Sequence, residues 1–157
     1  MTDEVGFDFQ VICPNRVVLR ERVTSLVVPG ARGAVGFWAG HAPMLVNLSP
    51  GVVRFRPAEG GVSGARAADV RTGPAGAGFR TLAVGGGFFE MSPDGGASLL
   101  ADTAELPEEI DVARAQAAYE RARKRLTRPT PSLDLTRAEI ALQRALARLK
   151  AVGRPRG

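Results

Sequence analysis

Several residue types that commonly carry catalysis or bind metal ions are almost absent from this chain. Its 157 residues include one cysteine, one histidine, one tryptophan and one tyrosine. A single cysteine, Cys13, excludes an intramolecular disulfide, and the alternating apolar residues around it predict a buried side chain rather than a reactive thiol. A metal site needs more ligands than one histidine and one buried cysteine. We therefore expect no catalytic residue, no metal site and no obligatory cofactor.

Two longer patterns are also missing. No G-x-x-x-x-G-K-[ST] sequence is present, so the chain lacks the loop that holds nucleotide phosphates in many ATPases, and we do not expect it to hydrolyse ATP by itself. No apolar run approaches the ~18 residues that a membrane-spanning helix needs.

The histidine and the tryptophan occur together in "GFWAGHAP", residues 36–43. A hydrolase histidine needs an orienting carboxylate and a nucleophile, and the neighbouring sequence supplies neither. The glycines and Pro43 predict a loop between strands. Two interpretations of Trp38 and His41 remain open: contact with a partner protein, or packing of the loop.

Net positive charge is confined to the last third of the chain. Residues 1–104 contain nine basic and nine acidic residues, whereas residues 105–157 contain twelve basic and seven acidic ones and so carry the whole excess of five charges. This separation predicts a second structural unit with an acidic or anionic partner. The alternative is a helix surface that uses arginine for solubility.

Short apolar and β-branched runs dominate the chain up to about residue 102. The first, "FDFQVIC", alternates apolar and polar residues, and Gly, Pro or Asn separates most of the later ones. This pattern is typical of an antiparallel sandwich or barrel, to which we assign residues 1–104. Residues 57–78 are largely Gly and Ala, bury too little apolar surface to offset their ordering entropy, and are predicted to form a mobile hairpin tip.

The sequence period becomes helical after Pro107, which is expected to open a first helix. Two prolines in "TRPTPS" break it, and a second helix is expected to begin at Asp134 or at the capping box Thr136-x-x-Glu139. Apolar residues recur at spacings of three and four: Val112, Ala115, Tyr119, Ala122 and Leu126, then Leu135, Ala138, Leu142, Ala145, Leu149 and Val152. Residues 105–157 are thus predicted to form an antiparallel two-helix hairpin. Because its seam is rich in alanine, we expect the hairpin to be marginal alone and able to leave its docked position.

An antiparallel hairpin brings charged side chains together at its open end. These are Asp111 and Arg114 from the first helix and Arg144 and Arg148 from the second, with Glu105 just upstream. Arginine guanidiniums match phosphate oxygens, so this group can take an anion such as a polyphosphate. The alternative is an Asp111–Arg148 ion pair with the other arginines in solvent.

Several ordered segments extend across both predicted units. They are "VVPGARGAVGFWAGHAPMLVNLSPGVVR", "VGGGFFEM" followed by "LLADTAE", "EEIDVARA" and "RALARL". In their order and spacing they resemble the epsilon subunit of the bacterial rotary ATP synthase. The resemblance implies a sandwich of about ten antiparallel strands and a C-terminal helical hairpin, in a non-catalytic central-stalk subunit of a proton-translocating complex.

The resemblance also implies partners for the sandwich. In the family this unit binds the gamma subunit and the c-ring at the cytoplasmic face of the bacterial inner membrane, and it meets the membrane only through the complex. The implied contact residues here are Arg32, Ala34, Trp38 and His41. Many family members have acidic residues in the segment where Arg32 and Ala34 stand.

For the hairpin, the resemblance implies regulation. In the family it can open, climb along gamma into the head of alpha and beta subunits, and block ATP hydrolysis. A basic cluster could then meet acidic surfaces of the catalytic subunits, or could simply be a solvated helix face; it comprises Arg121, Arg123, Lys124, Arg125 and Arg128. Some members bind regulatory ATP on the closed hairpin, through positions that match Ile110, Asp111, Arg114, Ala115, Arg144 and Arg148, with Glu105 just upstream as a further candidate.

A different class of function is compatible with the charge alone, namely a nucleic-acid-binding module that uses the basic hairpin. Against it, Tyr119 is the only aromatic residue after position 104, and it lies on the predicted packing seam. The helices therefore lack a platform on which bases could stack, and we expect no nucleic-acid partner.

Overall fold

The computed structural model describes residues 5–58 and 78–153, which form seven strands followed by two helices. The strands are β1 (Phe7–Cys13), β2 (Arg16–Gly30), β3 (Gly33–Trp38), β4 (Met44–Pro57), β5 (Arg80–Met91), β6 (Ala97–Ala101) and β7 (Ala104–Glu105). A short 3₁₀ helix, Pro107–Glu109, then leads to α1 (Val112–Thr127) and α2 (Leu135–Ala151).

Five strands close into a ring. Their order is β1-β6-β5-β4-β2, and β2 pairs again with β1, while β3 lies outside the ring on β2 and β7 pairs with β5. Apolar side chains that alternate along the strands fill the interior. Phe9 packs against Phe55 with ring centroids 5.7 Å apart, and Phe37 packs against Phe89 at 4.5 Å. Cys13 lies in the same core, and burial raises the pKa of its thiol, as expected for a small hydrophobic side chain.

The sandwich and the helical hairpin agree with the prediction, but the strand count and one strand direction do not. The described residues form seven strands rather than about ten, because β2, β4 and β5 are long and continuous and take part in several pairings. Register shifts in the β2–β4 pair let the sheet bend without ending a strand. The pair β1–β6 is parallel, not antiparallel, because β6 enters the sheet beside the first strand after a long excursion of the chain.

Of the predicted mobile tip at 57–78, residues 59–77 lie outside the described part of the chain. Pro57 ends β4, and the amide of Ala58 donates a hydrogen bond to the carbonyl of Arg22 at 2.9 Å. The base of this connection is therefore held on β2.

Both helices begin at an aspartate cap. The Asp111 side chain accepts a hydrogen bond from the amide of Arg114 at 3.0 Å, so α1 begins after Asp111, and Pro107 opens the 3₁₀ helix instead of α1. The Asp134 side chain accepts from the amide of Arg137 at 3.1 Å, which selects the first of the two predicted starts for α2. Among the described residues, neither helix is long and apolar enough to cross a membrane.

The helices pack in two layers on the sandwich. The first helix packs on α2, and α2 in turn lies against β4 and β5. The predicted seam is buried at Ala115, Tyr119, Ala122, Ala138, Ala145 and Leu149. Ala147 and Ala151 are also buried, although they lie off this seam. The second buried stripe exists because α2 faces the sheet on one side and α1 on the other.

Candidate functional site at the sandwich–hairpin junction

Among the described residues, the side chains of Thr81, Arg144 and Arg148 make polar contacts between α2 and the sandwich. The Thr81 hydroxyl donates to the carbonyl of Ala151 at 2.9 Å in a buried position. Near the middle of α2, the Nε atom of Arg144 donates to the carbonyl of Gly85 at 3.3 Å. Between these points Arg148 forms an ion pair of 2.9 Å with Glu105 of β7. Two of the arginines predicted to bind an anion therefore hold the docked helix.

The structure brings only some of the predicted nucleotide-binding residues into contact. Arg148 pairs with Glu105, and so the alternative prediction of an Asp111–Arg148 ion pair is wrong. Asp111 is instead occupied as the α1 cap, and the Arg114 side chain is exposed. The remaining two, Ile110 and Ala115, are 8% and 2% exposed in the apolar cluster between the helices and the sheet.

Close packing beside Arg144 explains a glycine that sequence reasoning did not assign to the site. The amide of Gly85 donates to the carbonyl of Thr103 at 2.9 Å. A Cβ atom at this position would overlap the Thr103 hydroxyl and lie 3.4 Å from the Nε atom of Arg144. A side chain at Gly85 would require the Thr103 hydroxyl to move where β5, the β6–β7 turn and α2 meet. The triple glycine in "VGGGFFEM" was the available signal, but nothing in the sequence pointed to a contact with α2.

A clamp outside the helices was also missed. The Glu109 carboxylate accepts from both terminal nitrogens of Arg16, at 2.7 and 2.9 Å, and from the amide of Leu106 at 3.0 Å. Hydrogen bonding by Arg16, the largest influence, holds the pKa of Glu109 below its ordinary value. The two residues are 93 positions apart, so no local pattern could reveal this pair.

The predicted basic cluster lies on the solvent side of α1. Arg121, Arg123, Lys124, Arg125 and Arg128 are all exposed, and α2 separates their helix from the sheet. Tyr119 is 7% exposed within the packed seam, where it cannot stack on a base. This surface therefore offers positive charge without an aromatic platform.

In the "GFWAGHAP" loop, the Trp38 side chain is exposed and the His41 side chain is partly buried. Trp38 is 60% exposed and its ring lies over Gly36. The His41 ring is partly buried and packs on Phe37, with ring centroids 4.6 Å apart, while its Nδ1 lies 2.7 Å from the carbonyl oxygen of Ala42. The other two predicted interface residues, Arg32 and Ala34, are exposed at the β2–β3 hairpin.

The sheet carries further exposed apolar side chains. Leu45 is 67% exposed, Phe88 53% and Leu100 52%, and Phe88 pairs directly with Leu100 across β5 and β6. Large apolar residues that share a surface in this way are typical of protein contact sites. In the described part of the chain, no group of three or more His, Cys, Asp or Glu side chains is placed to hold a metal ion.

These features define a β-sandwich with a docked helical arm, whose exposed apolar and basic surfaces are suited to protein contacts. Comparison with known proteins gives the same division. The model for the beta-sandwich domain of the ATP synthase delta/epsilon chain matches residues 6–73, and the model for its long alpha-helix domain matches residues 108–153.

Individual relatives match over nearly the whole chain. The ATP synthase epsilon chain of Moorella thermoacetica is 44% identical over 148 residues, which is 94% of this chain and 97% of that one. The epsilon chain of Syntrophomonas wolfei is 38% identical, and the match covers 97% of this chain and 98% of that one. A chain in the mitochondrial ATP synthase structure of Euglena gracilis, described as OSCP/F1/c-ring, shares the fold with a TM-score of 0.68 at 22% identity, and the match covers 92% of this chain and 80% of that one. The chain belongs to the ATP synthase epsilon chain family, which confirms the resemblance seen in the sequence.

Proposed function

We propose that this chain is a non-catalytic rotor subunit in the central stalk of a proton-translocating ATP synthase. The observation that carries the proposal is the match to epsilon chains through both the sandwich and the hairpin. The subunit would sit at the cytoplasmic face of a bacterial inner membrane and reach the membrane only through the complex. It would couple the gamma subunit to the c-ring and limit ATP hydrolysis through its helices.

The exposed apolar surface supports a docking role for the sandwich. Trp38, Leu45, Phe88 and Leu100 would lie against gamma or the c-ring, because burying them there removes apolar area from water. Arg32 and Ala34 at the β2–β3 hairpin and His41 in the loop would add contacts to this interface. The proposed contact is therefore an apolar patch with a polar border, as in other specific interfaces.

The hairpin would act as a two-state arm. In the docked state, the polar contacts of Thr81, Arg144 and Arg148 and the second buried stripe of α2, which contains Ala147 and Ala151, hold it to the sandwich. In the open state, Arg121, Arg123, Lys124, Arg125 and Arg128 would meet acidic surfaces of the catalytic alpha and beta subunits. Rotation in the hydrolysis direction would then be blocked by a bound helix.

Removal of the arm tests inhibition directly. The chain that ends at Ile110 keeps the sandwich and residues 104–109, which the Arg16–Glu109 ion pair holds on it. We expect this chain to assemble with the other subunits as the full chain does. ATP hydrolysis by the complex is expected to increase several-fold, because the inhibitory helices are gone. Hydrolysis and assembly would be measured on complexes reconstituted with either chain. Equal hydrolysis rates would contradict the inhibitory role, and failed assembly would contradict the docking role of the sandwich.

We also propose that ATP binds at the junction and stabilises the docked state. The ligand would contact Arg144 and Arg148, with Ile110, Asp111, Arg114, Ala115 and Glu105 around it. A phosphate that takes the donors of Arg148 competes with Glu105 for them. Binding to the docked form alone would stabilise it by about 1.4 kcal/mol at ten times Kd, enough to matter for a marginal hairpin.

Calorimetric titration of the isolated full chain with ATP tests this site. We expect one saturable site that disappears in the Arg144→Ala/Arg148→Ala double variant. Because these arginines also hold the docked helix, Thr81→Val serves as the matched control, since it removes a docking hydrogen bond and leaves both arginines in place. ATP binding is expected to persist in the control with reduced affinity. No heat at millimolar ATP in the unmodified chain would contradict the ATP site and leave the rotor role unaffected.

A further inference from the structure

The core of the sandwich and the apolar cluster between the helices and the sheet meet between Leu106 and Ile110. Leu106 packs against the core of the sandwich. Ile110 instead belongs to the cluster that contains Tyr119 and Leu149 of the two helices. Between them stands the 3₁₀ helix, Pro107–Glu109. The segment 104–109 is therefore packed with the sandwich, although the charge and the period of the sequence change near its start.

Arg16 fastens this connector at both ends. Its two terminal nitrogens bind the carboxylate of Glu109, and one of them also donates to the carbonyl of Ala104 at 3.3 Å. The same carboxylate accepts from the amide of Leu106 and so closes the 3₁₀ helix on itself. Arg16 is the first residue of β2 and pairs with Cys13 in the ladder. One side chain thus ties residues 104–109 to the closed ring of strands.

The chain becomes extended immediately after this clamp. Ile110 has φ −81° and ψ 122°, and Asp111 has φ −77° and ψ 101°. Helical hydrogen bonding resumes only after the Asp111 cap. Two extended residues between a fixed 3₁₀ helix and a capped α-helix are the positions at which φ and ψ can change with the loss of few backbone hydrogen bonds.

We propose that Arg16 and Glu109 are positioning residues that fix the pivot of the hairpin at Ile110–Asp111. The proposal rests on the hairpin movement of the proposed function, and it adds where the movement begins. Residues 104–109 stay on the sandwich when the arm leaves. Glu105 stays with them, so opening must break the Arg148–Glu105 ion pair instead of carrying it along.

The test measures the positions of residues 104–109 and of the hairpin, both relative to the sandwich, while the hairpin is forced open. Ala147 is 3% exposed and lies in the α2 stripe formed by Arg144, Arg148 and Ala151, which faces the sandwich, so Ala147→Arg should expel the helix. Pairs of spin labels on the full chain, in a Cys13→Ala background, would measure the distance from Ser92 of the sandwich to Glu108 or to Glu139. The Ser92–Glu139 distance is expected to change by about a helix diameter or more, ~10 Å. The Ser92–Glu108 distance is expected to stay the same.

A second measurement tests the clamp in the docked protein and does not depend on opening. We expect Glu109→Gln to speed hydrogen exchange at the amides of Leu106 and Glu109 at least tenfold, with the helix amides unchanged. Glu108→Gln, one position away and exposed, is the matched control and should change neither rate. Unchanged exchange in Glu109→Gln overturns the proposal, and so does a Glu108 label that moves with the hairpin. A hairpin that stays docked in Ala147→Arg would instead contradict the proposed function.

Discussion

Replacing Gly87 by alanine should destabilise the protein by about 2 to 6 kcal/mol. Two costs add at this position. The backbone has φ +128°, which residues with a side chain rarely adopt and which costs about 1 to 3 kcal/mol. A Cβ atom would also overlap the carbonyl oxygen of Leu100 and lie 2.9 Å from Cα of Ala101. Because both clashes involve the backbone of β6, the pairing between β5 and β6 must shift, at about 1 to 3 kcal/mol more.

Gly33 is a matched control for this experiment. It has the same φ of +128°, but an added Cβ atom would meet nothing within 4 Å. Gly33→Ala should therefore show the conformational cost alone, about 1 to 3 kcal/mol. The free energy of unfolding of both variants would be measured in urea. Equal losses would show that the tight β5–β6 contact contributes nothing at Gly87.

Arg80→Met should lower the free energy of unfolding by about 3 kcal/mol at neutral pH, because it leaves the buried Glu21 carboxylate without its ion-pair partner. Arg80 donates to Glu21 at 2.5 Å, and the Glu21 side chain is 7% exposed. The other carboxylate oxygen, Oε2, has no hydrogen-bond partner among the described residues. Burial raises the pKa of Glu21 above its ordinary value even with Arg80 present. Among the described residues, Arg80 is the group that favours the charged form of Glu21, and the substitution removes its guanidinium.

The direction of the pH dependence follows from the raised pKa. A folded-state pKa above the ordinary 4.5 means that the protonated form is favoured on folding. The loss caused by Arg80→Met should therefore shrink as the pH falls toward 4.5 and grow as the pH rises through the folded-state pKa. The double variant Glu21→Met/Arg80→Met replaces both charges with apolar groups and should recover to within about 1 kcal/mol of the original chain. Urea unfolding at several pH values would measure this, and a double variant as unstable as Arg80→Met would contradict the explanation.

The helical third of the chain was the most predictable part from sequence. The spacing of Ala115, Tyr119 and Ala122 fixed the buried side of α1 because a helix that packs on one neighbour has one apolar stripe. The same reasoning was incomplete for α2. That helix also buries Ala147 and Ala151 against the sheet, and alanines give a weak periodic signal because they are common on any helix surface.

The contacts that build the candidate site were beyond the reach of local patterns. The antiparallel hairpin predicted from sequence placed Glu105, Arg144 and Arg148 near one another, and Arg148 does contact Glu105. The sequence did not show that Gly85 and Thr81 form hydrogen bonds with α2, because both lie about sixty to seventy positions earlier in the chain. It also could not show the parallel pairing of β1 with β6, because strand direction depends on the path of the whole chain.

The closed ring of strands constrains how the protein can fold as it is made. One edge of β1 pairs with its neighbour β2, but the other edge must wait for β6, and residues joined across that edge, such as Gln10 and Ser98, are 88 positions apart. Until β6 has been synthesised, the nascent chain presents an open strand edge that can pair with other chains. Contacts so distant in sequence also slow folding. Ring closure therefore cannot precede the synthesis of the first hundred residues, and the helical arm, whose docking face is on β4 and β5, is expected to settle last.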